Sequence, residues 1–205
     1  MARHMIFIIL LAVLAASGCD KFGQDQFGKV DQGRVIAFDK NERTIVMLRD
    51  QSQDVKKPDY TALPPVSYKL PDDLNETGPA PKAGKLMNID LEKKEAVIFV
   101  ESSNSLSTIN ITIVEEKKKV DPKDPLVFDP DTKKNRAFPV FDQQKKTISL
   151  YLEKNKTLLT FAVPDEYFAM PPESWTLGDE VRVYYKEPGK SLRFMNVSKT
   201  DIFKK

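Results

Sequence analysis

The sequence contains very little of the two residue types on which many active sites depend. Its 205 residues include one cysteine and one histidine, and the histidine stands at position 4. One cysteine cannot form a disulfide within the chain, so we expect the hydrophobic core alone to stabilise the fold. A body without histidine has no Ser-His-Asp triad, no Cys-His pair and no ordinary zinc or copper site. The composition therefore argues against the commonest catalytic classes, and it implies no cofactor.

The sequence also lacks an excess of charge of either sign. Lysine and arginine number 32 against 30 aspartates and glutamates, and charged residues make up 30% of the chain. Such a surface is well solvated, but it has no basic stripe of the kind that attracts a phosphate backbone. We therefore expect no nucleic-acid partner.

No apolar run near the start of the chain is long enough to span a membrane. The run at residues 5–16 is shorter than the roughly 20 residues that a spanning helix needs. A short positive stretch precedes it, and Ala16, Ser17 and Gly18 stand directly before Cys19. This layout is typical of a secretory signal.

The small residues before Cys19 resemble the lipobox of bacterial lipoproteins. That pattern usually has leucine three residues before the cysteine, where this chain has Ala16. The resemblance implies that residues 1–18 are a signal peptide and that Cys19 is acylated and becomes the mature N-terminus. Residues 19–32 would then form a flexible tether to membrane lipid on the periplasmic side of the bacterial cell membrane, inner or outer. The alternative is an ordinary signal peptide whose cleavage site falls near Cys19.

The body of the chain contains a pattern that occurs twice. Phe-Asp, four polar residues and Thr-Ile stand at residues 38–45 and again at residues 141–148. Two β-rich runs joined by a short polar loop predict a hairpin. Asp39 and Asp142 can each accept backbone N–H groups at the start of the loop, so we interpret both as turn formers rather than catalytic carboxylates.

The likeness continues downstream of both hairpins. Pro71 and Pro164 each end a strand-like run and precede acidic residues, which predicts a single helical turn. Glycine-led hairpins are predicted at residues 83–100 and 177–197. The likeness can come from duplication or only from shared hairpin chemistry.

These elements predict a mainly β protein with two tandem, small, SH3-like or OB-like five-stranded barrels and short helical turns. Residues 33–114 would form the first barrel, residues 115–134 a charged linker, and residues 135–205 the second barrel. Alternating residues 107–114 predict a strand that either closes the first barrel or pairs with the second.

Two stretches are candidate sites, one in the predicted linker and one in the second barrel unit. Asp121, Asp124, Asp129 and Asp131 carry oxygen ligands that Ca²⁺ accepts, but the stretch lacks the glycine and closing glutamate of an EF-hand. We favour turn formation there.

The second stretch is residues 166–175, which gather Tyr167, Phe168, Met170 and Trp175. These side chains either plug the open end of a barrel, which we favour, or form an exposed surface that binds a protein partner.

We expect a non-enzymatic, lipid-anchored protein of the bacterial cell envelope that binds a protein partner or supports an envelope assembly. The alternative is that aromatic residues of the second barrel bind a small molecule or an oligosaccharide. A hydrolase built on carboxylates alone is the third hypothesis, although the sequence singles out no facing pair.

Overall fold

The computed structural model describes residues 27–54 and 57–200, and it confirms a mainly β protein. The strands in chain order are β1 (Lys29–Asp39), β2 (Thr44–Arg49), β3 (Ala62–Lys69), β4 (Leu86–Asp90), β5 (Glu95–Val100), β6 (Ser105–Asn110), β7 (Thr112–Lys117), β8 (Phe128–Asp129), β9 (Lys134–Asn135), β10 (Val140–Asp142), β11 (Thr147–Leu152), β12 (Thr157–Ala162), β13 (Glu180–Tyr185) and β14 (Ser191–Asn196). The helical elements are the 3₁₀ turns η1 (Leu74–Glu76), η2 (Glu101–Ser103) and η3 (Glu153–Asn155), the single-turn helix α1 (Asp165–Phe168), and the 3₁₀ turn η4 (Pro172–Trp175). The helical turns predicted after Pro71 and Pro164 are confirmed as η1 and α1.

The strands pair in three main antiparallel sheets. Sheet A has the order β14–β13–β1–β2–β3, sheet B the order β4–β5–β6, and sheet C the order β10–β11–β12–β7, while β8 and β9 form a small hairpin. Within residues 27–54 and 57–200, none of these sheets closes into a barrel, so the prediction of two tandem barrels is not confirmed.

Sheet A joins the beginning and the end of the chain. Residues Lys29 to Arg34 of β1 pair with Tyr185 to Glu180 of β13. The final hairpin, predicted to belong to the second unit, therefore completes the sheet that holds the first three strands. Because β1 begins at Lys29, residues 29–32 lie in this sheet rather than in the predicted tether.

Sheet A curls until its two edge strands touch at one point. The Lys69 backbone N–H donates to the Gly189 carbonyl at 2.9 Å, and the Ser191 hydroxyl donates to the Lys69 carbonyl at 2.8 Å. A single isolated bridge forms there, and the chain after β3 crosses the remaining gap, where the Gly78 N–H donates to the Phe194 carbonyl at 2.9 Å. The crossing chain, rather than a ladder of bonds between β3 and β14, fills the opening. The concave side encloses one core cluster: Val35, Ile45, Met47, Tyr68, Leu70, Val181, Val183, Tyr185 and Phe194.

Sheet B lies between sheets A and C and is apolar on both faces. Ala96 and Ile98 face a cluster shared with sheet C, whereas Phe99 faces a cluster shared with sheet A. A strand covered on both faces has a continuous apolar run rather than an alternating one, as residues 96–100 do. The cluster towards sheet C contains Leu86, Ala96, Ile98, Ile109, Ile111, Ile148, Leu150, Leu159, Phe161 and Trp175. The cluster towards sheet A contains Ile36, Leu48, Tyr60, Met87 and Phe99.

The strand predicted at residues 107–114 contributes to two sheets. It divides at Ile111, so that β6 pairs with β5 in sheet B and β7 pairs with β12 in sheet C. Residues 115–117, part of the predicted linker, continue β7. The same segment contains β8 and the buried side chains of Val120 and Val127.

The turn-forming role predicted for Asp39 and Asp142 is confirmed. Asp39 Oδ1 accepts the backbone N–H groups of the second and third residues after it at 2.8 and 3.0 Å, and Asp142 Oδ1 accepts the equivalent pair at 3.0 Å each. The two hairpins have the same register, with phenylalanine opposite isoleucine and aspartate opposite threonine. The same turn recurs after Asp90 and Asp129, so this hairpin occurs four times in the described part of the chain.

Candidate functional site

The connection between sheets C and A carries the aromatic residues singled out in the sequence. It leaves β12, forms α1 and η4, and reaches β13. Pro164 and Pro171 are the N-cap residues of these two short elements, and Pro172 begins η4, where its fixed φ suits the first turn. Backbone bonds fix the connection to sheet B, because the Lys85 N–H donates to the Glu173 carbonyl at 2.9 Å and the Leu86 N–H donates to the Thr176 carbonyl at 3.0 Å.

Trp175 is the centre of this connection. Its side chain is fully buried, and its ring centroid lies 5.7 Å from that of Phe161 in β12. The indole N–H donates to the carbonyl oxygen of Tyr167 at 3.1 Å, which fastens the end of α1 to the core. A side chain in this position cannot touch a partner or a sugar, so Trp175 acts as a plug between sheets B and C.

Tyr167, Phe168 and Met170 lie around the same core but remain half-buried. Phe168 packs edge-on against Phe141 of β10, with 5.7 Å between the ring centroids. Each of the three side chains therefore has one side in the core and one side towards solvent. We call these three residues the α1 surface; that it binds a partner stays a prediction.

The structure places the four linker aspartates in successive turns, with Asp129 and Asp131 in the same one. Asp121 Oδ1 accepts the Lys123 N–H at 2.8 Å, and Asp124 Oδ1 accepts the Leu126 N–H at 2.9 Å. Asp129 makes the hairpin turn described above, and the bonds from the Asp131 and Thr132 N–H groups hold its pKa below the ordinary value. The turn-forming interpretation is therefore confirmed for these positions. Within the described ranges, no group of three acidic, histidine or cysteine residues converges as a metal site.

A buried charged cluster between sheets A and B was missed in the sequence. Arg34 is 6% exposed, and its Nη2 lies 3.1 Å from Glu180 Oε1. Its Nε and Nη2 both donate to the Tyr60 hydroxyl at 3.2 Å, and the guanidinium lies 5.1 Å from the centre of that ring. Burial raises the pKa of Tyr60, which keeps its hydroxyl protonated at neutral pH.

This cluster fixes the long connection between β2 and β3 to the body of the protein. Tyr60 is the aromatic residue near the end of that connection, and it lies in the same core cluster as Met87 and Phe99 of sheet B. An ion pair inside a protein is costly unless each group is well bonded. Arg34 Nη1 has no hydrogen-bond partner among the described residues, so this cost is only partly offset. The signal in the sequence was weak, since Arg34 stands directly before the apolar run of residues 35–38 in a strand that carries other charges. Its acidic partner could not be assigned without knowing the pairing of β1 with β13.

A second polar contact lies inside the curl of sheet A. The Tyr68 hydroxyl donates to Asp31 Oδ2 at 2.6 Å, and burial together with this carboxylate raises the pKa of Tyr68. The Tyr185 ring lies 5.1 Å from the Tyr68 ring. The contact closes the end of the core cluster enclosed by sheet A.

The predicted lipidation site, Cys19, lies outside the described residues. Within residues 27–54 and 57–200, no helix has both the length and the apolar character needed to cross a membrane.

The fold and the site define a mainly β protein of antiparallel sheets, in which the connection from β12 to β13 buries Trp175 between sheets B and C. A family model described as a domain of unknown function (DUF4881) matches residues 26–205, and the chain belongs to this family. No curated protein and no solved structure matches the chain.

Proposed function

We propose that the protein is a lipid-anchored, non-enzymatic component of the bacterial cell envelope that holds a protein partner at the α1 surface. The lipobox-like residues before Cys19 support the anchor. The lack of histidine after position 4 supports a role in contact rather than in acid–base or nucleophilic chemistry.

The observation that carries the partner-binding role is the way in which the α1 surface is held. Two of its three half-buried side chains, Tyr167 and Phe168, lie on the single helical turn α1, and Met170 follows two residues after that turn. The buried Trp175 fastens the turn from beneath. A rigid apolar surface binds a partner at a low cost in conformational entropy. The exposed ion pair between Lys146 and Asp165, with 2.7 Å between nitrogen and oxygen, lies at the start of α1 and gives the surface a polar rim.

The alternative function, binding of an oligosaccharide, would have to use Tyr167 and Phe168. Trp175 offers no ring face for a sugar, because its side chain is fully buried. Added glycans should therefore leave the fluorescence of the chain's single tryptophan unchanged.

Cross-linking in native membranes, followed by mass spectrometry, tests the partner-binding role. We expect the parent chain to capture one defined envelope protein, and we expect Tyr167→Ala combined with Met170→Ala to lose it. Leu126→Ala is the matched control, because Leu126 is also a partly exposed apolar residue but lies in the segment between β7 and β8. Capture that survives the double substitution, in a chain with unchanged circular dichroism, would refute the role of the α1 surface.

Metabolic labelling with a palmitate analogue tests the anchor separately. The parent should incorporate the label and Cys19→Ala should not. Equal labelling of both chains, or equal retention of both in the membrane fraction, would exclude acylation at Cys19.

A further inference from the structure

One side of sheet A exposes apolar and basic side chains next to one another, close to the predicted anchor. Val30 of β1 lies opposite Tyr184 of β13, and Arg182 projects on the same side as Tyr184 because strand residues alternate. Lys186, which is exposed, directly follows the end of β13. Phe27, just before β1, is 81% exposed and Val30 is 61% exposed. We call these five residues the β1–β13 patch.

We propose that the β1–β13 patch rests on the anionic lipid bilayer in which Cys19 is anchored. The inference rests on the proposed lipid anchor. It assigns to sheet A an orientation towards the membrane, in addition to the partner-binding role of the α1 surface.

The length of chain before the patch limits its distance from the bilayer. Seven residues separate Cys19 from Phe27. Because an extended chain covers at most about 3.6 Å per residue, Phe27 lies within roughly 30 Å of the acylated sulfur. The patch is therefore within reach of the headgroups, whichever way the tether runs.

The charges of the patch suit an anionic surface. Arg182 Nε donates to the amide oxygen of Gln32 at 2.7 Å, and no carboxylate in the described part of the chain forms an ion pair with Arg182 or Lys186. The neighbouring Arg193, by contrast, is paired with Glu76. Basic side chains beside a bilayer bind anionic headgroups, and a tyrosine suits the boundary between headgroups and acyl chains.

The shape of sheet A makes the patch accessible to a flat surface. Val30 and Tyr184 lie on the opposite side from Val183 and Tyr185, which face the enclosed core. Since the sheet curls around that core, the patch is on the convex side. Sheet B covers a different part of this side, over Ile36 and Leu48.

Environment-sensitive labelling of the reconstituted lipoprotein tests the proposal. The single native thiol is blocked when Cys19 is acylated, so Val30→Cys and Val114→Cys each provide one reactive position. Val114 is the matched control, because it is a strand valine with 58% exposure in sheet C. In vesicles of phosphatidylethanolamine and phosphatidylglycerol, we expect a fluorescent label at position 30 to shift to the blue and to be quenched by nitroxide-labelled lipids. The same label at position 114 should show neither effect.

The charge dependence gives a second readout. We expect Arg182→Gln or Lys186→Gln to shift the equilibrium between docked and undocked protein about fivefold towards the undocked form. Vesicles of phosphatidylcholine alone should weaken docking in the same direction. The substitution Arg193→Gln, at a residue already paired with Glu76, should have a smaller effect.

The contrary outcomes are distinct from one another. Equal signals at positions 30 and 114 in vesicles would overturn the proposal. It would also be overturned if, in lipid-free detergent, the protection of position 30 increased with protein concentration, because a second copy of the chain would then cover the patch. If a thiol reagent labels the parent protein, Cys19 is free, and the proposed lipid anchor itself is wrong.

Discussion

Removing the last hairpin should unfold the first part of the chain, because sheet A is shared between them. A fragment of residues 27–117 keeps β1 to β7 but loses β8 to β14, including the β13–β14 hairpin of sheet A and three of the four strands of sheet C. Four of the nine buried residues inside sheet A come from the lost hairpin: Val181, Val183, Tyr185 and Phe194. Burial of one large apolar side chain contributes about 1.5–3 kcal/mol, so the fragment loses roughly 6–12 kcal/mol from the core of sheet A alone. The whole stability of a domain is about 5–15 kcal/mol, so we expect no folded state.

Circular dichroism and a nitrogen–proton correlation spectrum of the isolated fragment measure this outcome. We expect collapsed amide dispersion and no cooperative urea transition. The control is the full chain with a protease site inserted between Asp131 and Thr132, both exposed at the tip of the β8–β9 hairpin. Cleavage there should leave the two pieces bound to each other in one folded particle. A dispersed spectrum and cooperative unfolding of residues 27–117 alone would refute the shared-sheet reasoning and support two independent units.

Three further predictions concern single positions. Trp175→Ala should lower the free energy of unfolding in urea by about 3–5 kcal/mol because it empties a fully buried site; a change under about 1 kcal/mol would show that the indole is not part of the core. Gly178→Ala should lower the thermal midpoint, since a Cβ there would overlap the carbonyl oxygen of Val35, and an unchanged midpoint would contradict this close approach. The bond from Arg193 lowers the pKa of Glu76 below its ordinary 4.5, so this carboxylate stabilises the fold above pH 4.5 and the stabilisation is lost as the pH falls. Glu76→Gln should therefore lose less stability between neutral pH and pH about 3 than the parent does, and identical losses, measured as urea midpoints, would contradict the assignment.

Local structure could be predicted from the sequence because it depends on neighbours in the chain. The hairpin at residues 38–45 and its copy at residues 141–148 follow from an aspartate that accepts two nearby N–H groups. The helical turn after Pro71 follows from Asp73, whose side chain accepts the Asn75 N–H at the N-cap. The turn after Pro164 carries Asp165 and Glu166 in its first turn, where acids are favoured. Such signals act over a few residues, so they do not depend on how the rest of the chain folds.

The pairing of distant strands could not be predicted in the same way. The local pattern of hairpin β13–β14 is the same whether the hairpin belongs to the second unit or completes the sheet of the first. Only the pairing of β1 with β13 shows which of these arrangements is present. The strand near Ile111 is similar, since an alternating pattern requires one buried face but does not name the sheet that covers it. The order of strands in the sheets therefore needed long-range information.

The candidate site likewise has a part that could be predicted from local sequence and a part that could not. The sequence brings Tyr167, Phe168, Met170 and Trp175 together because they are neighbours, and the structure keeps them together. Which of them faces solvent depends on how sheets B and C pack against each other, and no local sequence pattern indicates that packing. The Arg34–Glu180 pair joins residues far apart in sequence, so it became visible only with the sheet.

The two proposed contacts lie at opposite ends of one continuous, well-fastened segment. The chain leaves the α1 surface, passes the buried Trp175, and reaches β13, which carries Arg182 and Tyr184 of the β1–β13 patch. Bonds to the edge of sheet B at residues 173 and 176 hold the path between them. A flexible connection would let a partner on the α1 surface lie at any distance from the membrane. A rigid connection fixes both the distance and the orientation of that partner relative to the bilayer. If the patch lies on lipid, a partner on the α1 surface is held in one orientation relative to the bilayer, which a fatty-acid tether alone cannot achieve.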